Sequence, residues 1–322
     1  MILVIAQEAP TAIEKFANAT YSGLALGAIY ALLALGLVLI YKATQILNFA
    51  HGALAALGAY FTAYFAVTLN FPGRYLESFP VTLQWILSAL LAVLVGAGVG
   101  WIIERVAIRP MIGEPLFAVV MITIALDIII RTIVDDLIGT TPRPLGTPWG
   151  SEVVEIGPGI IAKAEIATIV TTMICLVGIV LFFRTRIGVA MRATAFDQEA
   201  AMAQGISAGQ IFSLAWVIGA GLAATAGIFS SVFPRSGGVT AVTAFFAFRA
   251  LPAVVIGGLD SIAGAVAGGF IVGLVEVYAG AYLDVFTFLG SGFAGIMPYL
   301  VMLGVLLVRP YGLFGTEEIR RV

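Results

Sequence analysis

Residues able to do chemistry are few in this chain, and most of them sit inside long apolar runs. Asp127, Arg131 and Asp135 recur every four residues, which puts three charges on one face of a helix. Facing lipid, Asp127 and Arg131 together would cost roughly 5–7 kcal/mol. They must instead face protein or water. There, an acid–base–acid ladder can fix helix packing, line a polar route or act as a hinge latch. Arg249 and Glu276 are two further charges in apolar surroundings, and could pair with one another. Asn48 and His51 bring an amide and the chain's single imidazole to the start of another apolar run, beside Gly52. Such a pair can pack, bind backbone, or hold a small polar solute near a gate.

The same inventory excludes several chemistries. One histidine cannot make a His-Glu-x-x-His zinc site, and one cysteine, Cys175, allows neither a Cys-rich metal site nor an internal disulfide. Cys175 lies in an apolar run and reads as a small packed hydrophobe. Lys15, Lys42 and Lys163 precede Phe16, Ala43 and Ala164, so none completes a phosphate-binding Gly-x-x-x-x-Gly-Lys-Ser/Thr loop. No cofactor is expected in this chain, and ATP-driven work must come from another. Two alternatives stay open: an ion-coupled transporter using Asp127, Arg131 and Glu276, and an intramembrane enzyme using Asp127. A net charge of −2 offers no basic face to nucleic acid.

The elements that position these groups are apolar helices. Hydrophobic residues make up 61% of the 322 positions and charged residues 11%, less than half the usual charged share of a soluble domain. A surface this apolar needs lipid as its solvent. A hydrocarbon core about 30 Å thick takes roughly 20 helical residues. Runs of that length predict spans at 21–41, 48–69, 83–103, 117–138, 166–183, 208–232, 240–258, 261–283 and 292–308. The expected fold is therefore an all-α polytopic bundle of eight or nine spans. Arg249 and Pro252 interrupt the segment near 240–258, which predicts a broken or re-entrant helix there. The N-terminal Met1–Ala6 run is too short for a signal-peptide core, so the first span is expected to act as the insertion signal.

Positive charge predicts the orientation. With Arg184, Arg186 and Arg192 inside, nine crossings also place Lys42, Arg105, Arg109, Arg309, Arg320 and Arg321 inside. Lys15, Arg74, Arg143, Lys163 and Arg235 fall outside, a preference of nine against five. Small residues four apart (Gly23 and Gly27, Gly96 and Gly100, Gly264 and Gly268, Gly269 and Gly273, then Gly219, Ala223 and Gly227) predict close helix–helix contacts.

Three stretches resemble the permease subunits of branched-chain amino acid ATP-binding-cassette importers. The first is Ile46-Leu47-Asn48-Phe49-Ala50-His51-Gly52. The second runs from Thr185 to Ala195 and continues through Asp197, Glu199-Ala200-Ala201 and Gly205. The third is Gly257–Ala265, followed by Arg309-Pro310-Tyr311-Gly312-Leu313-Phe314-Gly315. The resemblance implies one transmembrane permease domain over 1–322, with a cytoplasmic coupling loop at about 184–207. In that loop Arg192, Asp197, Glu199, Ala200, Ala201 and Gly205 would meet an ATPase. Independently, Thr194 and Asp197 are candidate caps and Gly205 a stop, which predicts a short helix within 194–207. The resemblance further implies a bacterial inner-membrane location, a second related permease, two ATP-binding subunits carrying ATP and Mg, and a periplasmic solute-binding protein. Asn48, His51, Asp127, Arg131, Arg249 and Glu276 become the candidates for the translocation path or gate. The chain departs from the pattern at Arg249, where lysine is common, and at Asp260, where glycine is. The same scaffold also resembles permeases for urea and amides.

Overall fold

The structure is a computed structural model, and it describes residues 11–139, 141–233, 237–240, 242–282 and 292–316. Met1–Ala6, Arg235, Arg320 and Arg321 lie outside the described residues.

Helix α1 (Ala12–Thr44) is the axis of the bundle. A capping box starts it: Thr11 Oγ1 accepts from the Glu14 N–H at 3.2 Å, and Glu14 returns a carboxylate oxygen to the Thr11 N–H at 2.8 Å. Every residue from Ala25 to Ile40 is buried, so the helix is apolar on all faces because all faces are covered. After it in chain order come α2 (His51–Ala63), α3 (Val81–Ile103), α4 (Leu116–Ile138) and α5 (Lys163–Arg184), of which α5 packs directly on α1 while α3 and α4 pack on α2. Two short helices, α6 (Arg186–Phe196) and α7 (Gln198–Ala203), lead into α8 (Ala208–Ser230). A 3-10 segment (Thr243–Ala250), α9 (Leu251–Gly257), α10 (Ile262–Tyr282) and α11 (Met297–Val308) complete the order.

The small-residue repeats are contact seams. Gly23 and Gly27 of α1 sit against Leu274 and Phe270 of α10, while Gly269 and Gly273 meet the Ala31 and Gly27 backbones. A Cβ on Gly27 would stand 2.8 Å from the Phe270 Cα, so only glycine permits this approach. Gly96 and Gly100 of α3 pack on Ala224 and Ala220 of α8 in the same way. Outward faces carry large exposed apolar side chains, among them Leu90, Leu94, Ile129, Ile174 and Leu307, as a lipid-facing surface requires.

Among the described residues seven helices are long and apolar enough to cross a membrane, and Thr243–Gly257 and Phe293–Val308 are shorter apolar segments. Contacts at the two ends show that both shorter segments also traverse the bundle. At one end Val239 pairs with Arg143, and the Trp85 indole donates to the Leu145 carbonyl. At the other, Lys42 Nζ donates to the Asp260 carbonyl at 2.8 Å. The chain between Val239 and Gly257 therefore runs from the Trp85 end to the Lys42 end. Eight 3-10 and seven α residues give it about 26 Å. The segment after α11 lies at the Lys42 end, where the Leu313 and Phe314 N–H groups donate to the Ile256 and Gly257 carbonyls. The two halves of the third motif, 257–265 and 309–315, are thus one contact. They share a cavity of about 430 Å³ with Tyr41, Gln45 and Ala195, which puts 309–316 on the same end as the 184–207 segment. The all-α expectation needs one addition. Val153–Ile156 and Gly159–Ala162 form an antiparallel hairpin at the Trp85 end, turning at Gly157 with φ +58°.

Candidate functional site: two interrupted helices

Helix α2 does not begin level with the end of α1. Gln45, at φ +59°, ends α1, and residues 45–50 turn back into the bundle. There the His51 ring lies against Gly36: a Cβ on Gly36 would come within 2.7 Å of His51 Cε1. Gly36 precedes the end of α1 by eight residues, about 12 Å along its axis. The span expected over 48–69 is present as helix from His51 to Thr68; what differs is that its start lies deep beside α1, with residues 48–50 outside the helix. Irregular backbone at this depth is tolerated only under a protein cover. Asn48 supplies part of it, its Oδ1 accepting from the Ala50 N–H at 3.1 Å while its carbonyl takes the His51 N–H at 3.3 Å.

The second interruption, Thr243–Ala250 followed by α9 with Pro252 in its first turn, meets the first one directly. Gly52 packs on the Ala244 carbonyl with no room for a side chain. Between them lies a cavity of about 40 Å³, lined by Leu37, Asn48, His51, Gly52, Phe248 and Leu251 among others. Four buried side-chain polar atoms make no hydrogen bond among the described residues. Three of them belong to this pair, Asn48 Nδ2 and both ring nitrogens of His51; the fourth is Trp216 Nε1 on α8. The Leu33 carbonyl lies toward His51, outside hydrogen-bond geometry. Buried polar atoms are nearly always paired, so unpaired ones concentrated at one place mark a site.

Charges flank this junction on both sides. The Asp127 carboxylate lies 3.3 Å from Arg131 Nη2 and faces the Ala53 N–H in the first turn of α2, the positive end of that helix. Arg131 in turn stands over the Phe245 ring at 4.5 Å. On the far side, Arg249 Nη1 donates to Glu276 Oε1 at 2.9 Å, and the Tyr30 hydroxyl donates to Oε2 at 2.6 Å. Tyr30 stacks on Phe246, and Tyr299 donates to the Phe248 carbonyl. The 243–250 segment is therefore held between two ion pairs. The ladder expected on α4 has only one rung, because Asp135 forms no ion pair among the described residues. It lies near the Trp85 end with Asp136, on a cavity of about 510 Å³. Arg249 and Glu276 do pair, and Tyr30 is the further partner of Glu276 that the sequence did not point to.

The 184–207 segment lies elsewhere, at the Lys42 end. The short helix expected within 194–207 is α7: Asp197 Oδ1 accepts from the Ala200 N–H at 2.9 Å and starts it, directly after α6 ends at Phe196. Thr194 is no cap: it sits inside α6 and bonds back to the Ala190 carbonyl. Thr185 caps α6 instead. Glu199 and Ala200 are exposed, Ala201 is buried, and Gly205 turns the chain at φ +82°. Arg192 donates to the Phe183 carbonyl, so part of its role is to tie α6 to α5. At the break Phe196 is 95% exposed, an uncovered apolar side chain that charge and helix propensity did not reveal.

One family, described as branched-chain amino acid transport system / permease component, matches residues 19–307. The chain belongs to this family. Among its relatives is the high-affinity branched-chain amino acid transport system permease protein LivH of Escherichia coli K12. It is 30% identical over 95% of this chain and 98% of its own length. BraD of Pseudomonas aeruginosa, carrying the same description, is 32% identical over 94% of this chain and 96% of its own. A probable LivH of Methanocaldococcus jannaschii is 28% identical over 89% and 88%. No solved structure matches. The protein is accordingly a multi-pass inner-membrane permease subunit of an ATP-binding-cassette importer. Within this permease, the first resembling stretch is the re-entrant 46–52 turn and the second is the α6–α7 elbow.

Proposed function

We propose that this permease, with a second related one, forms the passage for leucine, isoleucine and valine. A solute-binding protein delivers cargo at the Trp85 end, which faces outward. Two ATP-binding subunits, supplying ATP and Mg, engage Arg192, Asp197, Glu199, Ala200, Ala201 and Gly205 on the cytoplasmic side. The substrates named for the relatives support this choice. So does the aliphatic and aromatic lining of the junction cavity, which suits a branched side chain better than urea. A volume of about 40 Å³ holds a water or two. Cargo therefore passes only when the two interrupted segments part, as alternating access requires. Asn48 and His51 then offer polar contacts to the cargo's charged groups. Asp127–Arg131 and Arg249–Glu276 hold the 243–250 segment in the closed packing.

One observation carries this reading. α8 emerges directly from the α6–α7 elbow, and its Gly219 carbonyl backs on Gly36, whose other neighbour is His51. Motion of the elbow reaches the junction through one rigid helix. The test is uptake by the complete complex in proteoliposomes against a panel of leucine, isoleucine, valine and urea. ATP-dependent uptake of the aliphatic amino acids, lost in Glu199→Lys, is expected. Uptake by this chain alone, driven by a proton gradient without ATP, would overturn it.

A further inference from the structure

Glu104 is fully buried, and nothing in the junction uses it. Beyond α3 the chain widens into a π-helical turn, Glu104–Ile108, before the short 3-10 turn Arg109–Met111. This turn brings Arg109, five residues on, back over the carboxylate. Its Nε donates to Glu104 Oε1 at 3.0 Å and its Nη2 to Oε2 at 3.1 Å. Ser213 of α8 donates to the same Oε2 at 2.5 Å and accepts from Arg109 Nη2 at 2.7 Å. Arg109 Nη2 also donates to the Gly209 carbonyl at 2.7 Å. The first two turns of α8, immediately after the elbow, are therefore bolted to α3 by charge-assisted bonds. Farther along, Gly100 and Gly96 keep the same two helices in backbone contact.

We propose that Glu104, Arg109 and Ser213 are positioning residues that make α3 and α8 move as one body. A stroke received at the elbow then reaches the Gly36–His51 contact instead of being spent in a tilt of α8 alone. This rests on the coupling reading given under the proposed function, so the experiment must separate the two. Complete complex is reconstituted in proteoliposomes, and leucine uptake and ATP hydrolysis are measured together. Arg109→Lys keeps the charge but loses the two-pronged fork, and Ser213→Ala removes one hydroxyl that Ser213→Thr retains.

Leucine moved per ATP is expected to fall about tenfold in Arg109→Lys and about twofold in Ser213→Ala. It should recover in Ser213→Thr, with the ATP-binding subunits still attached throughout. An unchanged ratio, or uptake and hydrolysis falling in parallel, overturns the clamp. Should Arg109→Lys fail to assemble, the Ser213 pair decides alone. Glu199→Lys tests the other reading separately: if it keeps both its ATP-binding subunits and its uptake, coupling through the elbow fails, whatever the ratios at Ser213.

Discussion

Two helix contacts near the middle of this permease are built on opposite plans. The α1–α10 seam is glycine against backbone. The junction of 45–52 with 243–252 is irregular backbone, with unpaired Asn48 and His51 atoms and an ion pair on each side. A seam of small residues gains from close packing and tolerates no change of shape. A junction with unpaired polar atoms gives up stability in its closed form and has something to gain by opening. The contrast separates a spine from the junction proposed above as a gate.

Four measurements would break or sharpen that contrast. Gly269→Leu drives a side chain into the Ala31 backbone and is expected to cost at least about 3 kcal/mol. Detergent melting and yield of monodisperse protein should both collapse; a normal melt would mean the seam is not the spine. Arg131→Leu strands the largely buried Asp127, for about 2–3 kcal/mol, reduced from a fully buried pair because Arg131 keeps some exposure. Adding Asp127→Asn should restore most of the melting temperature. If uptake returns with it the pair is structural, whereas uptake that stays low makes the pair part of the route. Gly205→Ala forces alanine to φ +82°, costing about 1 kcal/mol, and should weaken retention of the ATP-binding subunits in pull-down without touching the junction. His51→Leu should shift stability least, within about 1 kcal/mol, because no hydrogen bond is lost. Leucine uptake should nevertheless drop sharply, and a variant that melts normally and transports normally would remove His51 from the gate.

The spans and most of their lengths were legible because the membrane sets a minimum apolar run, and the Asp127–Arg131 pair because i, i+4 spacing fixes it. The depth at which α2 starts was not legible. Hydropathy is high on both sides of Asn48, and Gln45 is not a residue whose type announces a left-handed turn. Arg249 and Glu276 were suspected partners, but the two lie on different helices, so only the packing of α10 could decide. Glu104 was hidden more thoroughly: its partner is five residues away, a π-helical spacing that α-helical periodicity passes over. In the elbow, Asp197 was named as a cap, yet its consequence, a break leaving Phe196 bare, needed the two helices to be seen end to end.

The depth of the α2 start also bears on how the protein is made. A ribosome delivers Asn48 and His51 to the bilayer before it has polymerised Gly219 or Ala244, the backbone that later encloses them. During that interval these side chains must borrow water, lipid headgroups or the insertion machinery as temporary company. Biogenesis of the N-terminal hairpin is therefore a wait for α8 and the 243–257 segment, and chains cut short before α8 should be recognised by membrane quality control as unfinished.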